Sequence, residues 1–422
     1  METSYTFSWL FACVILLPDF VFQGGRCDSS LELEKKFISQ QSPQSGSSFV
    51  FPVFGNVHTL GYYSVSLSIG KPPRVYELDI DTGSDITWLQ CDAPCKGCTK
   101  PSDQLYKPKN NLVGCADPLC LAIQPQGISR CENPNDQCDY FLEYADQGSS
   151  LGVLVSDLFH FQLKNGSNLS SRLTFGCGYD QQYRGLYPPP ATSGVLGLGN
   201  GKTSINFQLH SEGIIKNVFG HCFSSRGGGY LLMGSSLLPE KVKWVPLAAS
   251  DLDKHYVLGP AELLFGGRRT GLKQLYLTFD SGSSYSYFNS QVYQTTVDLI
   301  QNNLNGKHLK RAQDDATLPI CWKGKAPFKS LSEVNSYFKP MTLSFKGARN
   351  VELQLPPENY LIISKHGNVC LGILNGSEIG LKNLNIVGDI FMQDKIVAYD
   401  LEKKRMGWSS ADCSSIPKSP TD

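Results

Sequence analysis

A short tetrad occurs twice in this chain, as DTGS at residues 81–84 and as DSGS at residues 280–283. Each copy ends an apolar run, and each is followed much later by two apolar residues and a glycine, at 195–197 and 386–388. One Asp-Gly turn is an ordinary loop feature, but a matched pair with matched downstream partners indicates an internal duplication. The chain is therefore expected to fold into two similar lobes.

The dominant hydrophobic period is two residues, which is typical of β-strands. In the stretch YSVSLSI at residues 63–69, apolar side chains alternate with serines, and VELQL at 351–355 repeats the alternation. Phe159, Phe161 and Leu163 do the same. Because breaks rich in glycine and proline separate these runs, the sequence predicts an all-β fold.

One helix stands out from this pattern. Asn289 or Ser290 is a suitable N-cap, and Gly306 lies at the expected C-terminus. The apolar residues between them recur at helical spacing: Tyr293, Val297, Ile300 and Leu304. The polar stretch at 246–254 is the expected linker between a first lobe at 57–245 and a second lobe at 255–413.

Charge and hydropathy argue against two classes of partner. Lys and Arg total 38, as do Asp and Glu, and no basic block favours nucleic acid. The apolar run at residues 8–17 is too short to span a bilayer and predicts a signal peptide at 1–25. The alternative is an apolar N-terminal tail. A short leader at 26–56 follows, and the polar tail at 414–422 predicts neither a membrane span nor a lipid anchor.

The cysteine content favours a secreted, disulfide-bonded chain. Fourteen cysteines occur, of which Cys13 would leave with the signal peptide and Cys27 lies near its end. An even number remains, as expected for disulfides: Cys91, Cys95, Cys98, Cys115, Cys120, Cys131, Cys138, Cys177, Cys222, Cys321, Cys370 and Cys413. A zinc cluster of the first three is the alternative, because their spacing allows it. Candidate glycosylation sites at Asn165, Asn168 and Asn375 agree with secretion.

The duplicated tetrads supply two carboxyl groups, one from each expected lobe. Hydrolysis of an amide needs one group that takes a proton from water and another that donates a proton toward the amide. Two carboxyls within hydrogen-bond distance perform both roles, because they cannot both ionise cheaply and therefore share one proton. Asp81 and Asp280 are the predicted catalytic pair.

The residues after each aspartate are suited to hold such a pair. Thr82 and Ser281 have hydroxyls that can join the two loops. Gly83 and Gly282 allow close backbone approach, and the hydroxyls of Ser84 and Ser283 can donate to the outer carboxylate oxygens.

Together these motifs resemble the pepsin-like aspartic proteases, and more closely their plant nucellin-like branch. The similarity covers about residues 57–413, with stretches such as LDIDTGSDITWLQCDAPCKGC, YADQGSSLGVLVSD and NIVGDIFM. It implies a bilobal all-β fold with a long cleft between two lobes. It also implies endopeptidase activity at acidic pH, a polypeptide substrate, no cofactor or metal, a monomeric chain and a secreted or vacuolar location.

The resemblance also assigns roles to residues outside the tetrads. Tyr144 matches the tyrosine of a hairpin flap that closes over the substrate, although this flap has an extra residue before Gly148. Trp88 matches the indole that holds this tyrosine, and Cys321 with Cys370 matches a disulfide of the C-terminal lobe. The alternatives are an ordinary strand tyrosine and a core tryptophan.

One rival function is protein binding, because some plant relatives of this family keep the fold, lose catalytic residues and inhibit microbial glycosidases. This chain retains both aspartates and both adjoining hydroxyls, which favours the enzyme. The GNGKT stretch at 199–203 resembles a phosphate-binding loop, but residue 196 is leucine where that motif needs glycine.

Overall fold

The computed structural model describes residues 47–124, 132–163, 166–183, 191–236, 238–249, 254–347 and 351–416. β-Strands dominate these ranges, so the all-β prediction is confirmed. The predicted signal peptide lies outside the described residues, as do leader residues 26–46, Cys131, Asn165, linker residues 250–253 and tail residues 417–422. Within the described ranges, every helix is too short or too polar to cross a bilayer.

The first half of the chain contributes strands and two short α-helices. In chain order they are β1 (Phe49–Asn56), β2 (Tyr62–Ile69), β3 (Arg74–Asp81), β4 (Trp88–Gln90), α1 (Pro118–Ile123), β5 (Asp139–Glu143), β6 (Ser149–Gln162), β7 (Asn168–Gln182), β8 (Gly194–Gly197), α2 (Ile205–Ser211), β9 (Val218–Phe223), β10 (Gly229–Met233) and β11 (Lys243–Pro246).

The second half has shorter strands and the longest described helix. Its elements are β12 (Tyr256–Phe265), β13 (Arg268–Arg269), β14 (Leu275–Phe279), β15 (Ser286–Phe288), α3 (Ser290–Leu304), β16 (Lys310–Arg311), β17 (Cys321–Lys323), β18 (Met341–Phe345), β19 (Val351–Leu355), β20 (Leu361–Ile363), β21 (Val369–Leu371), β22 (Ile373–Asn375), β23 (Ile386–Val387), α4 (Asp389–Met392), β24 (Lys395–Asp400) and β25 (Arg405–Ser410). Single 3₁₀ turns occur at Leu331–Val334, Pro357–Asn359 and Gly376–Ile379.

The predicted helix is confirmed as α3. The Asn289 side chain accepts a hydrogen bond from the backbone N–H of Val292 at 3.1 Å and so caps the helix. Val297, Ile300 and Leu304 lie on its buried face. Gly306 follows with a φ of +79°, a left-handed conformation that glycine adopts without strain.

The largest sheet joins strands from both ends of the chain. Its order is β11-β25-β24-β9-β10-β1-β2-β3-β8-β4-β7-β6-β5, so β24 from the second half pairs with β9 from the first. The other sheets, of eight and four strands, are built from the second half alone. The two halves are therefore connected by backbone hydrogen bonds as well as by the linker.

The first strand begins earlier than the sequence analysis placed it. Residues 49–56, which were included in the leader, form β1 and pair with both β10 and β2. Phe49 and Val53 are buried in the main core, so this segment is part of the folded lobe. The boundary at residue 57 was wrong because Pro52 and Gly55 interrupt the alternating pattern.

An aromatic cluster lies where the halves meet below the two tetrads. Tyr399 on β24 stacks on Phe219 of β9 with ring centroids 4.4 Å apart, and it packs against Tyr256 of β12 at 4.6 Å. The Tyr256 hydroxyl donates to the carbonyl of Leu198 at 2.6 Å. These buried contacts fix the first lobe to the second at the base of the site.

Candidate active site

Each tetrad begins where a strand passes a parallel neighbour from the same half. Asp81 ends β3 and faces Gly197 of β8, while β14 ends at Phe279 beside Val387 of β23. The N–H of Asp280 then donates to the Val387 carbonyl at 3.0 Å. The apolar-Gly segments therefore lie beside the loops.

The two carboxylates are held in the same way. In each loop, Oδ1 of the aspartate accepts from the backbone N–H two residues on, and Oδ2 accepts from the hydroxyl three residues on. The donors to Asp81 are Gly83 at 2.7 Å and Ser84 at 2.5 Å; the donors to Asp280 are Gly282 at 2.9 Å and Ser283 at 2.8 Å. Hydrogen bonds to the charged form fix the orientation of both groups.

The glycines of the tetrads bring each loop against the carboxylate of the other. A Cβ atom at Gly83 would lie 2.5 Å from Oδ1 of Asp280, and one at Gly282 would lie 2.6 Å from Oδ1 of Asp81. Neither distance is tolerated by a real side chain, so a larger residue would displace a carboxylate. This reciprocal contact brings the two carboxyl groups within hydrogen-bond distance of each other.

The hydroxyls between them join the loops. The backbone N–H of Thr82 donates to Ser281 Oγ at 3.1 Å, and the N–H of Ser281 donates to Thr82 Oγ1 at 3.0 Å. Each hydroxyl also donates across the boundary, from Thr82 to the carbonyl of Phe279 at 3.3 Å and from Ser281 to that of Ile80 at 2.8 Å. All of these atoms are buried, so the four bonds hold the halves in register.

The electrostatics of the pair favour a shared proton. Burial, followed by the charge of Asp280, holds the pKa of Asp81 above its usual range, against the hydrogen bonds from Ser84 and Gly83. Asp81 is only 6% exposed. A buried carboxyl beside a second carboxylate therefore keeps its proton to a higher pH than an exposed carboxyl does, which favours a pair that shares one proton.

Tyr144 and Trp88 meet as the resemblance implies. Tyr144 lies in the turn between β5 and β6, and the indole Nε1–H of Trp88 donates to its hydroxyl at 2.7 Å. Burial and then the charge of Asp81 raise the pKa of Tyr144 well above its ordinary value, which indicates that the phenol lies near the dyad. The longer turn is accommodated by Gln147, whose φ is +67°.

Two further carboxyl groups near the dyad were missed by the sequence analysis. Asp389 is fully buried, and among the described residues neither of its carboxyl oxygens has a hydrogen-bond partner. Burial, then the charges of Asp280 and Asp81, raise the pKa of Asp389 well above its ordinary value. Asp79 lies on β3 two residues before Asp81. The signal for Asp389 was a single acidic residue inside the apolar stretch IVGDIFM, and the signal for Asp79 was its place on the same strand face as Asp81.

A second pair of matched hydroxyls was also missed. Thr87 and Ser286 each lie six residues after a tetrad aspartate. Thr87 Oγ1 accepts from the N–H of Gly197 at 3.0 Å, and Ser286 Oγ accepts from that of Gly388 at 3.1 Å. The internal repeat therefore extends further than the tetrads, and this equal spacing was the signal.

The cysteines that the structure describes are oxidised. Cys115 is disulfide-bonded, and the described pairs are Cys91–Cys177, Cys95–Cys98, Cys120–Cys138, Cys222–Cys413 and Cys321–Cys370. The last of these is the pair that the resemblance implies. The zinc alternative for Cys91, Cys95 and Cys98 is wrong, because all three sulfur atoms are already bonded.

The two described glycosylation candidates differ in exposure. Asn168 is exposed at the start of β7. Asn375 is half-buried, and its Nδ2, the atom to which a glycan would be attached, donates to Glu378 at 3.0 Å. Asn168 is therefore the more suitable acceptor of these two.

Comparison with known proteins identifies the family. The family models described as xylanase inhibitor N-terminal and C-terminal match residues 63–235 and 261–410. An aspartic proteinase of Oryza sativa subsp. japonica is 41% identical over 385 residues, covering 88% of this chain and 93% of that protein. An aspartic proteinase of Arabidopsis thaliana is 28% identical over 413 residues, covering 92% and 83%.

Solved structures agree on the fold. Soybean basic 7S globulin superposes with a TM-score of 0.69 at 17% identity, covering 88% of this chain and 99% of that one. The aspartic proteinase from Irpex lacteus gives a TM-score of 0.61 at 16% identity, covering 87% and 99%. The predicted bilobal pepsin-like fold is confirmed, and the chain belongs to the pepsin-like aspartic protease family. Within that family it is similar to the plant aspartic proteinases named above.

Proposed function

We propose that this protein is an aspartic endopeptidase of the nucellin-like branch, in which Asp81 and Asp280 activate water at acidic pH. The observation that carries the proposal is the reciprocal contact of the tetrads, in which the glycine of each loop faces the carboxylate of the other. A turn with a purely structural role would not bring the two carboxyls so close together, because they destabilise each other when both are ionised. Retention of both groups is accounted for by catalysis.

The geometry supports a specific division of roles. The ionised carboxyl accepts a proton from a water molecule as its oxygen attacks the peptide carbonyl carbon. The protonated carboxyl donates to the carbonyl oxygen, giving a neutral tetrahedral intermediate. Collapse of this intermediate returns the hydroxyl proton to a carboxylate, transfers a proton to the leaving nitrogen and breaks the C–N bond. The loop hydrogen bonds keep both carboxyls oriented throughout.

The flap provides the second element of the proposed mechanism. Tyr144 accepts a hydrogen bond from Trp88 and is close enough to Asp81 to sense its charge, so its ring would cover a bound polypeptide and exclude water from the dyad. No cofactor is required, because two side chains of the protein supply both acid and base. The disulfides agree with folding in the secretory pathway, and we expect a monomer in the extracellular space or the vacuole.

The proposal is tested by incubating the purified protein with a denatured protein at pH 3 to 7. A statine-type transition-state mimic and the variant Asp280→Asn serve as controls. We expect cleavage at acidic pH that the inhibitor stops and the variant lacks. Cleavage that persists in both controls would come from a contaminant, and no cleavage by the intact protein would reject the proposal.

Protein binding remains the second candidate function, because the matching family models are described as xylanase inhibitor domains. The same preparation should be titrated against microbial xylanases while their activity is measured. Stoichiometric inhibition that Asp81→Asn retains, with no peptide cleavage at any pH, would favour this candidate. Cleavage without inhibition would exclude it.

A further inference from the structure

His221 is a titratable residue for which the proposed mechanism has no role. It lies on β9 in a row with Phe219 and Phe223, because alternate residues of a strand share one face. The imidazole has no exposed surface and stacks on the ring of Phe223, with ring centroids 4.1 Å apart. Tyr63 of β2 stacks on the same phenyl ring at 4.2 Å. An ionisable ring therefore occupies a place among aromatic rings inside the core.

One of the two ring nitrogens of His221 has no hydrogen-bond partner among the described residues. Nε2 lies 3.1 Å from the hydroxyl oxygen of Tyr399, whereas Nδ1 is buried and unpaired. A buried N–H without an acceptor is tolerated less readily than an unpaired acceptor. The neutral ring therefore carries its proton on Nε2 and donates it to Tyr399. A second proton, on Nδ1, would be buried without an acceptor.

The strands on either side of His221 offer no negative charge to a protonated ring. In the sheet, His221 pairs with Leu231 of β10 and with Val397 of β24. Lys395 and Tyr399 lie two residues to either side of Val397 and so share its face. Burial lowers the pKa of Lys395 to about 8, which leaves the amine charged at acidic pH. The nearest charge on β24 therefore repels a second cation.

The remaining titratable groups around the ring are neutral at acidic pH. Tyr63 and Tyr256 are phenols. Asp389 begins α4, which packs against β9. Burial, followed by the charge of Asp280, raises the pKa of Asp389 well above its ordinary value, so this carboxyl keeps its proton. Burial lowers the pKa of His221 to about 3, and no described charge opposes the shift.

His221 lies on the strand pair that joins the two halves of the chain. β9 belongs to the first half and β24 to the second, and the ring of Tyr399 packs against Tyr256 at 4.6 Å. The Tyr256 hydroxyl donates to the carbonyl of Leu198 at 2.6 Å. The N–H of Leu198 in turn donates to the carbonyl of Asp81 at 2.7 Å. A short series of contacts thus connects the imidazole to the dyad.

We propose that His221 is an acid-sensitive positioning residue for the catalytic pair. In its neutral form it fixes Tyr399, and through Tyr399 the base of the dyad. At low pH the ring takes a proton from solvent on Nδ1, and β9 then separates from β24. Stacking on Phe223 offsets part of this cost, but a buried charge without an acceptor is more unfavourable than the stacking is favourable. The effect on activity rests on the proposed function; the separation of the strands does not.

The first test compares the intact protein with His221→Gln, which keeps an amide N–H for Tyr399 and cannot titrate. Free histidine has a pKa of about 6.5, so between about pH 6 and 4 the unfolded chain binds a proton at His221 that the folded protein lacks. Through this group, the folding equilibrium constant should fall about tenfold for each pH unit of acidification. Denaturant unfolding at pH 6, 5 and 4 should show the ratio of the two constants, variant over intact protein, rising by that factor.

His366→Gln is the matched control, because His366 is exposed in the turn between β20 and β21. Its ratio to the intact protein should not change with pH. His221→Phe keeps the stacked ring without a titrating group and should show the same pH dependence as His221→Gln. A ratio that is independent of pH in both His221 variants would overturn the inference. An equal pH dependence in His366→Gln would assign the effect to net charge and would also overturn it.

Activity provides a readout that a merely structural residue would not move. We expect the ratio of kcat at pH 3.5 to kcat at pH 5 to be about tenfold higher in His221→Gln than in the intact protein. His221→Phe should share this gain but have a lower kcat at pH 5, because Tyr399 loses its donor. An acid limb that is identical in the intact protein and His221→Gln would reject the positioning role.

A measurement on the intact protein decides the question if the variants fail to fold. The chain has seven histidines, and NMR of ¹⁵N-labelled histidine distinguishes the charge and the tautomer of each ring. We expect one ring to be neutral at pH 4.5, with its proton on Nε2. If every ring of the folded protein is protonated at that pH, the inference is wrong. If this ring and the unfolding pattern are found but no peptide is cleaved, the proposed function fails and the acid-sensitive contact between β9 and β24 stands.

Discussion

The loop of Asp81 lies near a tyrosine, whereas the loop of Asp280 is hydrogen-bonded to a turn. Beside the first, Tyr144 accepts a hydrogen bond from Trp88. In the second, Ser284 donates to the carbonyl of Gly61, in the turn between β1 and β2. The hydrogen bonds to the two carboxylates are otherwise equivalent. The duplicated tetrads therefore account for the equivalent hydrogen bonds to the two carboxylates. The different neighbours of each loop account for the difference between the two carboxyls.

The segments beside the loops differ in one position that matters electrostatically. The first half has Leu198 after its apolar-Gly segment, and the second half has Asp389 at the corresponding place. Both residues are fully buried. Leu198 packs without cost, whereas the carboxyl of Asp389 adds an acid that lies near both catalytic groups. Two loops with equivalent hydrogen bonds to their carboxylates are therefore in different electrostatic environments.

The largest expected effect comes from breaking either half of the pair. Asp81→Asn and Asp280→Asn should each lower kcat by about 10²–10⁴-fold, because each leaves only one titrating group. The double variant should be scarcely worse than either single one, since the pair acts as a unit. Peptide hydrolysis measures this, with exposed Asp139→Asn on β5 as the control. Effects that multiply would show that the carboxyls act independently.

The next effect tests the symmetry of the loops directly. Gly83→Ala and Gly282→Ala each place a methyl carbon 2.5 or 2.6 Å from an opposing carboxylate oxygen. This is closer than van der Waals contact, so the two carboxyls must move apart. We expect kcat to fall by about 10²-fold in both, as for other misplacements of about 1 Å. Gly347→Ala is the control, because no atom of the described residues lies within 4 Å of its Cβ position. A large effect in one half alone would contradict the reciprocal contact.

A smaller effect should follow from uncoupling the proposed flap, which lies in the first half. Tyr144→Phe removes the acceptor of the Trp88 indole while keeping the ring, and we expect kcat to fall about tenfold. Tyr144→Ala should lower it further. Tyr140→Phe, on the same hairpin, removes a buried hydroxyl bonded to Ser150 and should change stability without changing kcat. Unchanged turnover in Tyr144→Ala with a native circular-dichroism spectrum would reject the flap assignment.

The last expected effect is on stability rather than on turnover, and it concerns the asymmetry at Asp389. Its pKa is raised in the folded state, so the folded protein holds a proton that the unfolded chain releases above pH about 4. Stability is therefore lost as pH rises, by about 1.4 kcal/mol per unit for this group. Asp389→Asn should raise Tm relative to the native protein at pH 7 and change it little at pH 4. Equal shifts at both pH values would contradict this account.

Much of the fold followed from local patterns. The period-two runs predicted β2 and β19, and the capping residue with helical spacing predicted α3, because these signals depend on neighbouring residues alone. The start of β1 did not follow, because Pro52 interrupts the run and the strand is stabilised by β10, far away in sequence. Pairing with a distant strand leaves no local signature.

The residues of the site also divide into those that the sequence predicted and those that it did not. Duplication pointed to both tetrads, because identical chemistry in two places is visible in the residues themselves. The burial of Asp389 and the unpaired oxygen of Asp79 were not predicted, since the sequence around an acidic residue does not show which partners it meets after the chain has folded. The flap contact between Tyr144 and Trp88 was available only through resemblance to a known family.

The order in which the central sheet is completed has a consequence for the cell that makes this protein. Ile396 on β24 pairs with Cys222 on β9, and Cys222 is bonded to Cys413, a separation of 191 residues. Residue 413 must therefore leave the ribosome before the first lobe gains these neighbours. A nascent polypeptide that stops before β24 lacks them, so we expect the proposed hydrolytic activity to appear only after this strand has been synthesised.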